Sequence, residues 1–188
     1  MMIILGIVAA FAGGACGAML AVQRVKRAGL ARHISNGQWS TTTLAGSVDA
    51  DALTRARVAV AGLLALDKRE AIYFNATRDD KGDPITSEGI YEIRGRVPDV
   101  RWWSITAYGE DHFLIDNPAG IYSLQPDTVA KLDDGSFRAT LARAPQGNAW
   151  LPSGQAPRVA LTLRLYNAPE AVMNNLHGVG LPSIVRVG

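Results

Sequence analysis

Asp111 and His112 are the only neighbouring acid and histidine in the chain. A histidine held by a carboxylate can act as a general base, and Ser104 or Ser123 could then serve as the nucleophile. Adjacent residues on a strand point to opposite faces, so the pair could cooperate only in a loop. The sequence contains no GxSxG nucleophile elbow. Asp111 and His112 are therefore the catalytic candidates, and whether the protein is an enzyme stays open.

Metal and cofactor chemistry is not expected. The histidines His33, His112 and His177 lack the HxH or HExxH spacing of a metal site. The single cysteine, Cys16, has no second thiol for a disulfide or a CxxC pair. We expect no metal and no cofactor.

A second group of candidates combines aromatic rings with hydrogen-bond donors. These ligand-binding candidates are Trp102, Ser104, Tyr108, Arg138, Arg164 and Tyr166. Flat rings beside hydroxyl and guanidinium groups could hold a sugar, a lipid head group or a small organic acid. The alternative is that these residues only form the outward faces of strands, where aromatic rings stabilise a sheet. In that case Arg164, which lies between two leucines, would pair with a carboxylate of the fold.

The segments that carry these candidates alternate with a period of two. Trp103, Ile105 and Ala107 alternate with the polar and aromatic positions of 102–108, and the same pattern appears in 70–77, 137–141 and 159–166. Turn signals separate the segments at 79–84, 116–118, 133–135 and 152–154. Short strands between turns predict a mainly β fold, an antiparallel β-sandwich of jelly-roll type.

One helix is predicted against this sandwich, over residues 52–66. Asp49 or Asp51 can cap its start, and Leu53, Ala56 and Val60 share one face. The predicted organisation is therefore a membrane segment at 1–23, a basic and polar linker at 24–46, and the β-sandwich domain at 47–188.

The N-terminal segment has no charged side chain from 1 to 22 and is long enough, as a helix, to cross a bilayer. We expect a transmembrane helix or an uncleaved signal anchor that contacts the lipid bilayer through residues 1–22. Gly13 and Gly17 have GxxxG spacing, which favours a homodimer through this helix. The basic residues that follow, Arg24, Lys26, Arg27 and Arg32, favour a cytoplasmic domain by the positive-inside rule.

Length and charge bound the remaining possibilities. The 188 residues suffice for one domain with its own core, and the formal net charge is only +2. Acidic and basic residues are interspersed, so no basic face is available for a phosphate backbone. Nucleic acid is not expected as a partner.

The chain resembles a known family over residues 70–186. The motifs that carry the resemblance are Arg-Trp-Trp-Ser-Ile-Thr-Ala-Tyr at 101–108, Phe-Leu-Ile-Asp-Asn-Pro at 113–118, Asp-Gly-Ser at 134–136, Trp-Leu-Pro at 150–152, Leu-Arg-Leu-Tyr at 163–166 and Leu-Pro-Ser-Ile at 181–184. In this order they resemble the domain-of-unknown-function 1214 family, without the 1254 domain that often accompanies it. The resemblance implies a jelly-roll β-sandwich.

Exported members of that family favour a domain facing the periplasm of a bacterial-type inner membrane, against the basic residues after the anchor. We favour the periplasmic side. The sequence thus predicts a single-pass envelope protein whose β-sandwich binds a small ligand or a partner. The alternative is a hydrolase or isomerase acting on a carbohydrate-like or lipid-like substrate.

Overall fold

The computed structural model describes residues 2–27, 33–60 and 65–188. Three helices and ten strands are formed in this part of the chain. The elements, in chain order, are α1 (Met2–Arg27), β1 (His33–Asn36), β2 (Trp39–Thr42), α2 (Ala52–Val60), β3 (Ala71–Ala76), β4 (Tyr91–Gly95), β5 (Trp102–Tyr108), β6 (Ser123–Leu124), β7 (Phe137–Ala142), β8 (Trp150–Pro152), β9 (Ala160–Tyr166), α3 (Glu170–Met173) and β10 (Ser183–Arg186).

The described strands form two sheets, consistent with the predicted β-sandwich. The larger sheet has six strands in the order β1-β2-β3-β9-β5-β6, and the smaller has four in the order β10-β4-β7-β8. The pairs are antiparallel except β7 with β8, which is parallel. The two longest strands of the larger sheet, β5 and β9, are direct neighbours, with β9 central and β5 next to the edge strand β6.

The core lies between the two sheets. Phe74, Leu163 and Ile105 lie side by side on three neighbouring strands, and none of the three is exposed. Trp103 stacks on Phe137 of the smaller sheet, with ring centroids 5.1 Å apart. The prediction that Trp103, Ile105 and Ala107 are core residues is confirmed, because all three are buried.

The predicted linker at 24–46 contains regular structure. Strands β1 and β2 form a hairpin whose turn places Gly37 at a φ of 59°, a conformation that glycine adopts without strain. The buried indole of Trp39 donates to the carbonyl of Pro182 at 2.7 Å, and Asn36 donates to the carbonyl of Val179, also at 2.7 Å. These contacts attach the hairpin to the last part of the chain, which sequence periodicity cannot reveal.

Helix α2 is shorter than predicted and buries another face. Residues 65 and 66 are not helical, and 61–64 lie outside the described residues. The backbone N–H of Leu66 donates to the hydroxyl of Tyr73 at 3.2 Å instead of continuing a helix. Leu53 and Val60, expected to pack on a sheet, are 42% and 54% exposed, whereas Thr54 is buried.

The predicted transmembrane helix is wrong. Helix α1 does cover this segment, apart from Met1, which is outside the described residues. In the part of the chain that the structure describes, however, no helix is long and apolar enough to cross a membrane. Four of its positions are glycine, which adds no side chain to an apolar surface, and its last turn is basic. The homodimer through Gly13 and Gly17 stays a prediction.

Candidate ligand-binding face

Five of the six ligand-binding candidates lie on one surface, the outer face of the six-stranded sheet. Trp102 lies opposite Tyr166, and Ser104 lies opposite Arg164, in the register of β5 with β9. Tyr108 shares the face of Trp102 and Ser104, because alternate residues of a strand point to the same side. The structure therefore brings these five side chains to one side of two neighbouring strands.

Arg138 is not part of this surface. It lies on β7, in the smaller sheet, where its Nε is 3.1 Å from a carboxylate oxygen of Glu92. The other oxygen of Glu92 is 3.4 Å from Arg94. Arg138 is therefore an ion-paired residue on the opposite side of the sandwich.

Arg164 makes the most specific contacts of the candidate face. Its Nη1 donates to the hydroxyl of Thr106 at 3.1 Å, and its Nη2 donates to the hydroxyl of Tyr108 at 2.6 Å. The guanidinium carbon is 5.5 Å from the ring centroid of Tyr108 and 5.9 Å from that of Tyr73. Both distances are typical of cation–π contacts. Two hydroxyls and two rings thus hold the half-buried guanidinium in place.

The guanidinium of Arg164 has no carboxylate partner among the described residues. The ion pairs found there join other side chains, and none includes Arg164. The sequence had offered a carboxylate of the fold as the structural explanation for this residue. The groups that contact the guanidinium are instead neutral, so its positive charge is not compensated within the described part of the chain.

Buried polar side chains surround Arg164. Ser104, Thr106 and Thr162 are 4%, 6% and 4% exposed, which is unusual for the outer side of a sheet. The hydroxyl of Thr162 donates to the amide oxygen of Asn75 at 2.8 Å. We refer to the surface formed by Tyr73, Ser104, Thr106, Tyr108, Thr162 and Arg164 as the Arg164 face.

Sequence reasoning missed Tyr73, Asn75 and Thr162 as site residues. The alternation in 70–77 does place Tyr73 and Asn75 opposite Phe74, so the side of the strand was visible in the sequence. What was missing was the pairing of β3 with β9, which sets Tyr73 directly beside Arg164. Nothing local to either strand specifies that pairing.

Trp102 and Tyr166 form a separate aromatic pair at the far end of the same surface. Their ring centroids are 5.3 Å apart at an interplanar angle of 56°, and Trp102 is 36% exposed. Such tilted cross-strand pairs stabilise a sheet. Arg164 extends from its position opposite Ser104 towards Thr106 and Tyr108, and therefore away from this pair.

Asp111 and His112 lie in a tight turn after β5. The Asp111 carboxylate accepts the backbone N–H of Phe113 at 3.1 Å, and His112 has a φ of 66°. Both side chains are exposed. Within the described residues no hydrogen bond joins the imidazole of His112 to a carboxylate or a serine. The turn gives Asp111 a structural contact, and in the described part of the chain His112 has no hydrogen-bonded carboxylate or serine, so a catalytic role for the two residues stays a prediction.

The described residues contain no cluster of three or more histidine, cysteine or acidic side chains that could hold a metal ion. The carboxylates whose pKa is shifted lie elsewhere and act in turns or caps. The hydroxyl and backbone N–H of Thr54 lower the pKa of Asp51, and those of Ser136 lower the pKa of Asp134. These shifts do not mark a catalytic group.

A shallow cleft lies next to the Arg164 face, between β2, β3 and α3. Its lining includes Lys68, Ile72, Tyr73 and Met173, and its interior has room for little more than a water molecule. Ligand pockets are far larger and more enclosed. We therefore treat the Arg164 face as the candidate site.

Comparison with known proteins identifies a family and a fold but no activity. The model of a family described as "Protein of unknown function (DUF1214)" matches residues 70–170. No curated protein matches the chain.

Two solved structures are similar in fold. The VPA0106 protein from Vibrio parahaemolyticus is 24% identical with a TM-score of 0.62, and the match covers 94% of this chain and 44% of the VPA0106 chain. An uncharacterised protein from Burkholderia cenocepacia is 14% identical with a TM-score of 0.51, covering 90% of this chain and 40% of its own. The chain thus spans less than half the length of either.

Proposed function

Because the chain belongs to the DUF1214 family, whose members have no known function to transfer, we propose from its geometry that it is a binding module for a small anionic ligand. The site is the Arg164 face. The observation that supports the proposal is a half-buried guanidinium with neutral partners and no carboxylate partner among the described residues.

A charge in this position is costly unless something compensates it. Removing an ion from water is unfavourable, and proteins normally pair such groups. Of the five N–H donors of a guanidinium, two serve Thr106 and Tyr108. The others can serve a carboxylate, whose two oxygens match the planar donor arrangement of arginine.

The surrounding contacts prepare Arg164 for this role. Long side chains lose rotamer freedom when a ligand immobilises them, and a side chain that is already held loses less. The two hydroxyls and the rings of Tyr73 and Tyr108 hold the guanidinium before any ligand binds. Binding a carboxylate then requires little reorganisation.

The test is titration of the folded protein with acetate, followed by two-dimensional amide NMR, with neutral acetamide as the matched ligand control. Arg164→Gln should weaken acetate binding by about 10-fold or more, since hydrogen bonds to charged groups contribute about 1.5–3 kcal/mol. Arg138→Gln is the matched variant, because Arg138 is an arginine on the outer face of the other sheet. Equal effects of the two variants, or equal binding of acetamide and acetate, would contradict the proposal.

The cellular compartment stays a prediction. Fusing alkaline phosphatase or a cytoplasmic fluorescent reporter to the C-terminus distinguishes the two sides of the membrane. Phosphatase activity would support the periplasmic side, and fluorescence without phosphatase activity would contradict it. The outcome decides which anions the site can meet.

A further inference from the structure

The exposed aliphatic side chain of Leu114 lies beside Tyr108, whose hydroxyl accepts a hydrogen bond from Arg164. Tyr108 forms an antiparallel bridge with Leu114, so the two residues are directly opposite each other and their side chains share a face. Leu114 is 48% exposed. On its other side Tyr108 lies opposite Ala160, whose small side chain covers little of the sheet. The guanidinium thus adjoins a strip formed by Ala160, Tyr108 and Leu114.

The segment that carries Leu114 is held in a defined conformation. The backbone N–H of Gly109 donates to the carbonyl of Phe113 at 3.0 Å, which closes the turn. The buried amide of Asn117 donates to the carbonyl of Ile121 at 3.0 Å and accepts from its N–H at 3.1 Å. The strip is therefore attached to an ordered loop.

This loop concentrates exposed apolar side chains. Phe113, Leu114, Ile121 and Tyr122 are 73%, 48%, 38% and 38% exposed. Exposed apolar residues are ordinary when scattered, whereas several in one short loop beside a polar site are typical of a binding surface. The combination of one cation and adjoining hydrocarbon surface fits an anion with an apolar body.

Distance along the sheet decides which apolar surface such a ligand can reach. Trp102 is six residues from Tyr108 on the same strand, which is about 20 Å at the usual rise. Leu114 lies in the loop segment that is bridged to Tyr108, about 5 Å away. The guanidinium bonds to both Thr106 and Tyr108, and Thr106 is four residues, about 13 Å, from Trp102 along the strand. A ligand whose tail continues over Tyr108 therefore reaches Leu114 and extends away from Trp102.

We infer that the ligand of the Arg164 face is an aliphatic carboxylate of medium chain length, whose tail lies along Tyr108 onto Leu114. The inference rests on the proposed function, since Arg164 must bind the carboxylate. It adds the chemical class of the ligand and the direction in which it lies. No covalent step is involved.

The experiment compares acetate, butyrate, hexanoate and octanoate with the folded protein, each below its micelle concentration. Complete burial of one methylene group raises affinity about fourfold. An open surface buries roughly half of each methylene, so we expect the affinity to rise about twofold for each methylene added to the chain. Leu114→Ser should abolish this gain with chain length and leave acetate binding unchanged. Trp102→Ala, the matched apolar control, should change neither quantity.

The outcomes separate the two proposals. Acetate binding that depends on Arg164 but shows no gain with chain length overturns the aliphatic ligand and leaves the anion site intact. The aliphatic ligand is also overturned if the gain in affinity with chain length is removed by Trp102→Ala and not by Leu114→Ser. If no carboxylate binds at all, both proposals fail. The series in the unaltered protein decides the question even if a variant does not fold.

Discussion

The contact between Arg164 and Thr106 can be measured by a double-mutant cycle. The Thr106 hydroxyl accepts from Arg164 at 3.1 Å and the residue is only 6% exposed. Arg164→Met keeps most of the aliphatic stem but leaves this hydroxyl buried without its donor, which costs about 1–3 kcal/mol. Loss of two cation–π contacts adds about 0.5–1 kcal/mol each, and removal of the half-buried charge offsets part of the total.

Thr106→Val removes the hydroxyl and keeps the shape, and the freed Nη1 of Arg164 can still reach water. We expect that change to cost about 0.5–1.5 kcal/mol. The double variant should be less destabilised than the sum by about 1 kcal/mol, because the buried hydroxyl no longer exists to be left unpaired.

The assay is equilibrium urea unfolding at neutral pH, with comparison of m-values to check that the unfolding transition is unchanged. Additivity of the two single changes within about 0.3 kcal/mol would refute the reasoning, because it would mean that the hydroxyl does not depend on Arg164. Coupling of the expected size would show that the guanidinium is held in solution as it is in the structure.

Three further predictions concern the fold. Leu163→Ala removes a fully buried side chain at the centre of the six-stranded sheet and should lower the free energy of unfolding in urea by about 2–5 kcal/mol. The control is Leu132→Ala, whose side chain is 49% exposed and whose loss should cost less than about 0.5 kcal/mol. Gly154→Ala should destabilise the protein by about 1–3 kcal/mol more than Gly120→Ala. Both glycines have positive φ, but a Cβ would overlap Ile115 only at Gly154. Equal losses of stability in thermal unfolding would contradict this prediction. The carboxylate of Asp51 caps α2 and its pKa is lowered in the folded protein. Its contribution to stability is therefore present above the pKa of the unfolded state and is lost as the pH falls through the lower pKa of the folded state. An NMR titration of this carboxylate that shows no lowered midpoint would contradict the cap.

The four longest strands, β3, β5, β7 and β9, and their inward faces were predictable, because alternation is a local property of the chain. The shorter strands β4, β6, β8 and β10 were not predicted. Trp103, Ile105 and Ala107 are buried as predicted, and the turn signals at 79–84 and 152–154 do separate strands. The hairpin at 33–42 was not predictable, because Trp39 and Asn36 are held by residues about 140 positions away. The N-terminal segment was predicted to be a transmembrane helix because it lacks charge. The helix described there is not long and apolar enough to cross a membrane.

The sequence by itself determined which side chains point outward, since Trp102, Ser104, Tyr108 and Arg164 alternate with apolar residues whatever the strands pair with. Tertiary structure alone decided which of them meet. Arg138 and Arg164 have the same chemistry and similar strand patterns, yet one pairs with Glu92 and the other contacts Tyr108. Sheet order and register depend on contacts between distant segments, so the residues around each arginine cannot specify its partner.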